Sequence, residues 1–312
     1  GQGSQKIGMG KDLYMEHSEG KKVFDIIDNT LDQKLSNIIF DGNEEELKNT
    51  ANTQPALMGV SIALIRILES KLKKKITDFV GVVLGHSLGE YSSLCCAESI
   101  DLESTAKILR IRGEAMQNAV SGIKTRMIAV IGLSIDIIEQ EIEKLNKTGD
   151  QICEIANDNC PGQVILSGTE DGVNFIEEKL KLAGARSIID LKVSAPFHCS
   201  LMKPASIIMS EALNKIEIKK PKTQFINNFS AQFIDEPPEI RKMLIKQVNN
   251  RVRWRESMMK ISKLDHLKTV IEIGSGNVLT GLNKRIKINQ TYFNISTLRD
   301  IEEFVSKYGD NI

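Results

Sequence analysis

Val80-Gly81-Val82-Val83-Leu84-Gly85-His86-Ser87-Leu88-Gly89-Glu90 is the stretch that decides the fold class. An apolar, β-branched run ends abruptly in Gly-x-Ser-x-Gly, and a segment of helical character follows. This is the sequence form of a nucleophile elbow, a strand–turn–helix that pushes a serine hydroxyl into the open. Gly85 and Gly89 leave room for the turn and for close approach of the next helix. The backbone N–H of Leu88 then sits at a helix N-terminus facing Ser87, where it can stabilise a developing oxyanion. Five residues with three fixed are a weak signal alone. The strand before, the helix after, and His86 and Glu90 in place make it specific.

Working outward, residues 54–70 read as a helix with Pro55 in its first turn, apolar nearly all round and therefore buried. Residues 127–193 form a unit of their own. Strands are expected at 127–132, 152–156, 163–167 and 187–193, helices at 134–145 and 170–183, and a turn at Asn157–Gly162. The order is βαββαβ, the ferredoxin-like split pattern, and such an insert would wall a cleft over the elbow. After residue 195 the chain returns to mixed α/β, with core strands expected at Phe225–Asn228 and Thr269–Ile273.

Composition narrows the function class. At 312 residues, 41% hydrophobic and 26% charged, the chain reads as a soluble protein of one large domain, or of a large and a small one. Its 41 basic and 41 acidic residues give no sign of a nucleic-acid or membrane partner. No apolar run is long enough to cross a bilayer, and no secretory signal is visible. Five cysteines, an odd number without a C-x-x-C pair, fit a reduced, cytoplasmic protein without structural zinc. Cys199 follows His198 directly and reads as a buried free thiol rather than a nucleophile.

A serine hydroxyl needs a base, and the chain has four histidines. His17 and His266 lie in polar or charged surroundings and read as surface residues. His86 is held inside the elbow, too constrained to reach its neighbour's hydroxyl. His198 sits in a loop between Pro196 and Pro204 that leads from a strand into a helix, and it is the candidate base. On the helix expected at Glu103–Val120, Arg112 falls on the apolar stripe of Thr105, Ile108, Leu109, Ala115 and Met116, whereas Arg110 falls on the wet side. A guanidinium facing the core needs an anion or another compensation. That anion is either a substrate carboxylate or a structural Asp or Glu, and a snorkelling side chain is a third option.

Gly1-Gln2-Gly3-Ser4-Gln5, Gln54-Pro55-Ala56-Leu57, Gly85-His86-Ser87-Leu88-Gly89-Glu90, Arg112-Gly113-x-x-Met116-Gln117, Pro161-Gly162-Gln163, His198-Cys199-x-Leu201-Met202-Lys203-Pro204 and Glu272-Ile273-Gly274 occur in that order. Over essentially its full length the chain resembles the malonyl-CoA:acyl carrier protein transacylases of bacterial-type fatty acid synthesis. The resemblance implies a hydrolase-like α/β core with a parallel sheet (residues 1–125 and 195–312) carrying a ferredoxin-like subdomain (126–194). It implies ping-pong acyl transfer from malonyl-CoA to acyl carrier protein, with Ser87 as nucleophile and His198 as base. The backbone carbonyl of Gln247 would orient His198, the N–H groups of Gln2 and Leu88 would form the oxyanion hole, and Arg112 would bind the malonyl carboxylate. Phe197 would leave little space for a branched acyl chain. No cofactor or metal is implied, and a cytoplasmic monomer is expected.

Two departures bear on the site. The family has a strand and Phe-Pro ahead of Gly-Gln-Gly-Ser-Gln, where this sequence starts at Gly1, which puts the Gln2 half of the oxyanion hole in question. Ser275 stands where the family has Pro, at an expected small structural cost. The competing readings are an α/β serine hydrolase or thioesterase, which needs an acidic residue behind its histidine, and a non-catalytic carrier-binding subunit. An acyltransferase domain cut from a polyketide synthase ranks below both. For an acidic carrier the candidate docking patch is Arg251-Val252-Arg253-Trp254-Arg255 with Lys246 and Lys260, and next Lys181 and Arg186.

Overall fold

The computed structural model describes residues 1–145 and 151–312. Eight strands lie among the described residues: β1 Val82–Val83, β2 Thr125–Ile131, β3 Cys153–Cys160, β4 Gln163–Thr169, β5 Ser187–Asp190, β6 Gln224–Phe225, β7 Thr269–Ile273 and β8 Thr291–Ile295. β1 pairs in parallel with β6, and β7 in parallel with β8. The remaining four form an antiparallel sheet in the order β3-β4-β2-β5, with helices Ile135–Leu145 and Glu170–Leu182 in its crossovers. The molecule is α/β, with its parallel pairs enclosed by helices.

The central helix is Thr50–Leu72. It is buried almost all round, as its composition requires, but it starts four residues ahead of the expected position. The Asn49 side chain accepts the Ala51 N–H at 3.0 Å, so this cap sets the start and Pro55 lies inside the helix. Helix Leu102–Asn118 packs against it at unusually short range. A Cβ on Gly113 would stand 2.5 Å from the Thr50 carbonyl oxygen, so only glycine permits the approach. Gly113 is thus buried, and Arg110, expected on the wet side, is half-buried, donating to Asn52 Oδ1 at 2.8 Å and to Gln33.

The β3 strand corrects the expected turn at Asn157–Gly162. Its polar tail stays extended because Asp158 and Asn159 find partners. The Asp158 N–H donates to the Val252 carbonyl and the Val252 N–H to Ala156, at 2.9 and 2.8 Å. The Asp158 carboxylate, fully buried, pairs with Arg255 at 2.8 Å. The turn itself shrinks to Pro161-Gly162, with Gly162 at φ 72°. β5 stops at Asp190, three residues short of expectation, and β6 keeps only Gln224 and Phe225. The four-stranded sheet has its own core around Ile128, Val130, Ile138, Val164, Leu166 and Ile176. A separate cluster around Val252, Trp254, Met258 and Ile226 ties the β3 side to the parallel strands.

The elbow turn shows why its two glycines differ. A Cβ on Gly85 would lie 1.9 Å from the Gly89 carbonyl oxygen, whereas a Cβ on Gly89 would meet nothing within 4 Å. Strand end and helix start touch at Gly85 alone. Gly85→Ala should therefore cost at least about 3 kcal/mol or prevent folding, while Gly89→Ala should stay within about 1 kcal/mol of the parent. Urea denaturation midpoints of the two variants check the contrast, and equal midpoints would refute it.

Candidate active site

Ser87 ends the loop after β1 with φ 54° and ψ −110°, and helix Leu88–Cys96 begins at the next residue. Its Oγ lies 2.7 Å from His198 Nε2. His198, itself at φ 60°, presents its other nitrogen to the Gln247 carbonyl oxygen at 2.9 Å. That oxygen can only accept, so Nδ1 carries the proton and Nε2 is left to accept from the serine hydroxyl. No carboxylate stands behind the imidazole; a backbone carbonyl does.

Arg112 joins the same atom. It is 1% exposed, and its Nη2 donates to Ser87 Oγ at 3.1 Å and to Gln247 Oε1 at 2.8 Å, while Nη1 donates to Gln54 Oε1 at 2.7 Å. Its guanidinium also lies over the Tyr91 ring, 5.6 Å from the centroid. None of these partners is a carboxylate. The structural ion pair weighed from sequence is not what compensates this cation, which rests on neutral acceptors.

Burial drives the His198 pKa down to about 3, helped by the neighbouring Arg112 charge and opposed by the Gln247 carbonyl. The imidazole is therefore neutral at physiological pH. His86 is brought to about 4, again chiefly by burial. It is occupied elsewhere, with Nε2 on Asn159 Oδ1 at 3.0 Å and its ring 5.7 Å from that of Trp254. Burial lifts the Glu90 carboxyl to about 8 against hydrogen bonds from the Asn228 N–H and the Gln247 amide. The Cys199 thiol is pushed up to about 11 by burial and lies 3.1 Å from the Pro196 carbonyl oxygen, which removes it as a nucleophile.

The loop carrying Gln2 is tied at two places. Gln2 Nε2 donates to Thr50 Oγ1 at 3.1 Å, and Ser275 Oγ donates to the Ser4 carbonyl at 2.8 Å. The second bond is one that a proline at position 275 could not make. Leu88 opens the elbow helix, where its N–H has no intrahelical acceptor. Phe197, 8% exposed, packs into the main core immediately ahead of His198. His17 is half-buried between helices Lys11–Glu16 and Ser18–Leu31, and His266 is exposed.

Sequence reasoning missed the Gln247 side chain, which donates to the Ser87 carbonyl at 2.8 Å and to Glu90 at 2.6 Å. It also missed Asn228, in hydrogen-bond contact with Gly85 and Ser87. The available signal was a pair of asparagines, Asn227-Asn228, closing an apolar strand. The basic segment 251–255 is committed internally. Arg251 pairs with Glu139, Arg253 with Glu256 and Arg255 with Asp158, and Val252 and Trp254 are buried. Lys181 pairs with Glu177 at 2.5 Å. Among the described residues no group of three His, Cys, Asp or Glu side chains is arranged to hold a metal, and no helix is long and apolar enough to cross a membrane.

The acyl transferase domain family matches residues 1–288. The malonyl CoA-acyl carrier protein transacylase of Bacillus subtilis is 42% identical over 287 residues, which cover 92% of this chain and 88% of that protein. The chain belongs to the malonyl-CoA:acyl carrier protein transacylase family. It is an acyltransferase, as the family is. Among solved members, the acyl-carrier-protein-S-malonyltransferase from Bartonella henselae superposes with a TM-score of 0.94 at 43% identity, covering 99% of this chain and 97% of its own. A malonyl-transacylase in complex with its type II PKS acyl-carrier protein superposes at 0.92 with 34% identity, covering 98% and 97%.

Three of the buried titratable groups, His198, His86 and Glu90, make a pH dependence of stability that can be worked out. His198 and His86 stay neutral in the folded transacylase down to about 3 and about 4, whereas each takes a proton near 6.5 once unfolded. Stability therefore rises with pH up to about 6.5. Glu90 acts in the opposite sense, keeping up to about 8 a proton that the unfolded chain loses above 4.5. The unfolded state holds a net excess of one proton between about 4.5 and 6.5 and a deficit of one between about 6.5 and 8. Each such proton is worth about 1.4 kcal/mol per pH unit. From these groups, unfolding free energy should peak near pH 6.5 and fall on both sides in a pH series of denaturant titrations. A pH profile above 6.5 that is unchanged in Glu90→Gln would mean that Glu90 is ionised in the fold.

Proposed function

We propose that this chain moves a malonyl group from CoA to the phosphopantetheine thiol of an acyl carrier protein through an ester on Ser87. One observation carries the reading. Ser87 Oγ is held at once by His198 Nε2 at 2.7 Å and Arg112 Nη2 at 3.1 Å, so a nucleophile, its base and a cation for the acyl carboxylate meet on one oxygen. As Oγ attacks the thioester carbonyl, its proton passes to His198 Nε2, and the Gln247 carbonyl steadies the imidazolium. The oxyanion rests on the N–H groups of Gln2 and Leu88. His198 then gives its proton to the departing CoA thiolate. In the second half-reaction it takes the proton of the carrier thiol, which attacks the seryl ester, and returns it to Ser87.

Arg112 meets the free malonyl carboxylate with its guanidinium fork. Its present acceptors are neutral, so a carboxylate improves on every one of them. Phe197 closes the pocket to branched acyl chains. The β3-β4-β2-β5 order with two crossover helices supports reading residues 126–194 as a ferredoxin-like subdomain on a hydrolase-like core of 1–125 and 195–312. Balanced charge and five unpaired cysteines support a cytoplasmic protein that engages neither nucleic acid nor membrane, and we take it to act as a monomer. The hydrolase alternative is disfavoured by the carbonyl, rather than carboxylate, behind His198.

Intact mass spectrometry after mixing with malonyl-CoA should show one malonyl adduct, lost in Ser87→Ala. An adduct of equal stoichiometry in that variant would displace Ser87 from the role. His198→Ala should slow acylation by about 10² to 10⁴. Arg112→Ala should weaken malonyl-CoA by about 10- to 150-fold and leave acetyl-CoA equal or better, since a charge-assisted paired contact is worth about 1.5–3 kcal/mol. A parallel fall for both thioesters would make Arg112 structural.

A further inference from the structure

Asn228 follows β6, the strand paired with β1, and is 1% exposed. Its carboxamide reaches across to the elbow and takes hold of the turn by both peptide edges. Nδ2 donates to the Gly85 carbonyl at 2.7 Å, and Oδ1 accepts the Ser87 N–H at 2.7 Å. Its own backbone N–H donates to Glu90 Oε1 at 3.1 Å. Gln247 completes the arrangement by donating from one nitrogen to the Ser87 carbonyl and to Glu90 Oε2. Two amide side chains from distant parts of the chain thus engage the polar backbone of the turn, and the Glu90 carboxyl holds one by its side chain (Gln247) and the other by its backbone N–H (Asn228).

We propose that Asn228 is a positioning residue for the nucleophile, its carboxamide holding Ser87 in the left-handed backbone conformation that aims Oγ at His198. This rests on the reading of Ser87 as the nucleophile. Asn228 touches neither acyl group nor thiol and acts through the Ser87 backbone. The chemistry selects the residue type. The Gly85 carbonyl can only accept and the Ser87 N–H can only donate, so the clamp must offer one donor and one acceptor a carboxamide's width apart. A carboxylate of the same shape would set an oxygen against the Gly85 carbonyl and stand close to Glu90. A second consequence follows for the oxyanion hole. The Ser87 N–H is already spent on Asn228, so charge stabilisation is left to N–H groups outside it.

The test compares Asn228→Asp and Asn228→Ala with the parent in the full chain. Three readouts are taken: single-turnover acylation by malonyl-CoA, KM for malonyl-CoA, and the denaturation midpoint. Losing the aim of Oγ should slow acylation by about 10²-fold in Asn228→Asp and less in Asn228→Ala, which removes the clamp without adding repulsion. KM should stay within about twofold, because the acyl carboxylate and CoA contacts are untouched. A purely structural role predicts a lowered midpoint with acylation per folded molecule close to the parent's, and that result overturns the proposal. Should neither variant fold, amide exchange in the parent decides. A Ser87 N–H that exchanges as slowly as the buried amides of helix Leu88–Cys96 supports the clamp, and one that exchanges as an open turn overturns it. Ser87→Ala run alongside separates the two readings, since an adduct surviving there refutes Ser87 as nucleophile whatever Asn228 does.

Discussion

At φ 54° and ψ −110° the Ser87 backbone lies where residues with side chains rarely go, a conformation that costs on the order of 1–3 kcal/mol. It survives only because its surroundings leave no alternative. The helix that follows presses its first turn against Gly85 so closely that a single methyl group would collide with the Gly89 carbonyl. The relaxed conformations of the turn would open that contact. They would also break hydrogen bonds with two amides, one in the segment after β6 and one in helix Pro237–Val248. The position of one oxygen atom is thus set by packing from below and polar contacts from the side, and every other part of the site is arranged around where that oxygen ends up.

Electrostatics at the site follow from one buried cation without a carboxylate partner. Arg112 is surrounded by the amide oxygens of Gln54 and Gln247, the serine hydroxyl and an aromatic face. These acceptors engage its two terminal nitrogens without neutralising the charge, and the buried Nε has no hydrogen-bond partner. Its charge therefore remains felt nearby, and it adds to burial in keeping His198 unprotonated. The same group that would attract an acyl carboxylate thus also keeps the His198 imidazole neutral. A carboxylate salt-bridged to Arg112 would weaken both effects.

Much of this was legible in the sequence, because the informative features are local. The elbow is written in eleven consecutive residues, and the position of Arg112 shows as a charge on an apolar helical stripe. What escaped is long-range or compensated. Asn228 and the Gln247 side chain meet Ser87 across 141 and 160 residues, with no periodicity to announce them. The Asn-Asp-Asn stretch of β3 carries the composition of a turn, yet its polar groups are bound by His86, Val252 and Arg255 and it stays a strand. The arginines at 251–255 look like a free basic surface when read alone. Their acidic partners include Glu139 and Asp158, far away in the chain.

The separations that hid the site from the sequence also govern when it can form. The antiparallel sheet closes over fewer than seventy residues, and its strands β3 and β4 are joined by a two-residue turn. Closing longer loops costs more chain entropy, and topologies rich in distant contacts fold more slowly. During synthesis Ser87 leaves the ribosome well before Asn228 and Gln247 have been made. A nascent chain therefore carries Ser87 in a turn that lacks the hydrogen bonds holding it in the folded protein. A chain stopped before Asn228 would lack the amide contacts that fix Ser87 in the folded protein.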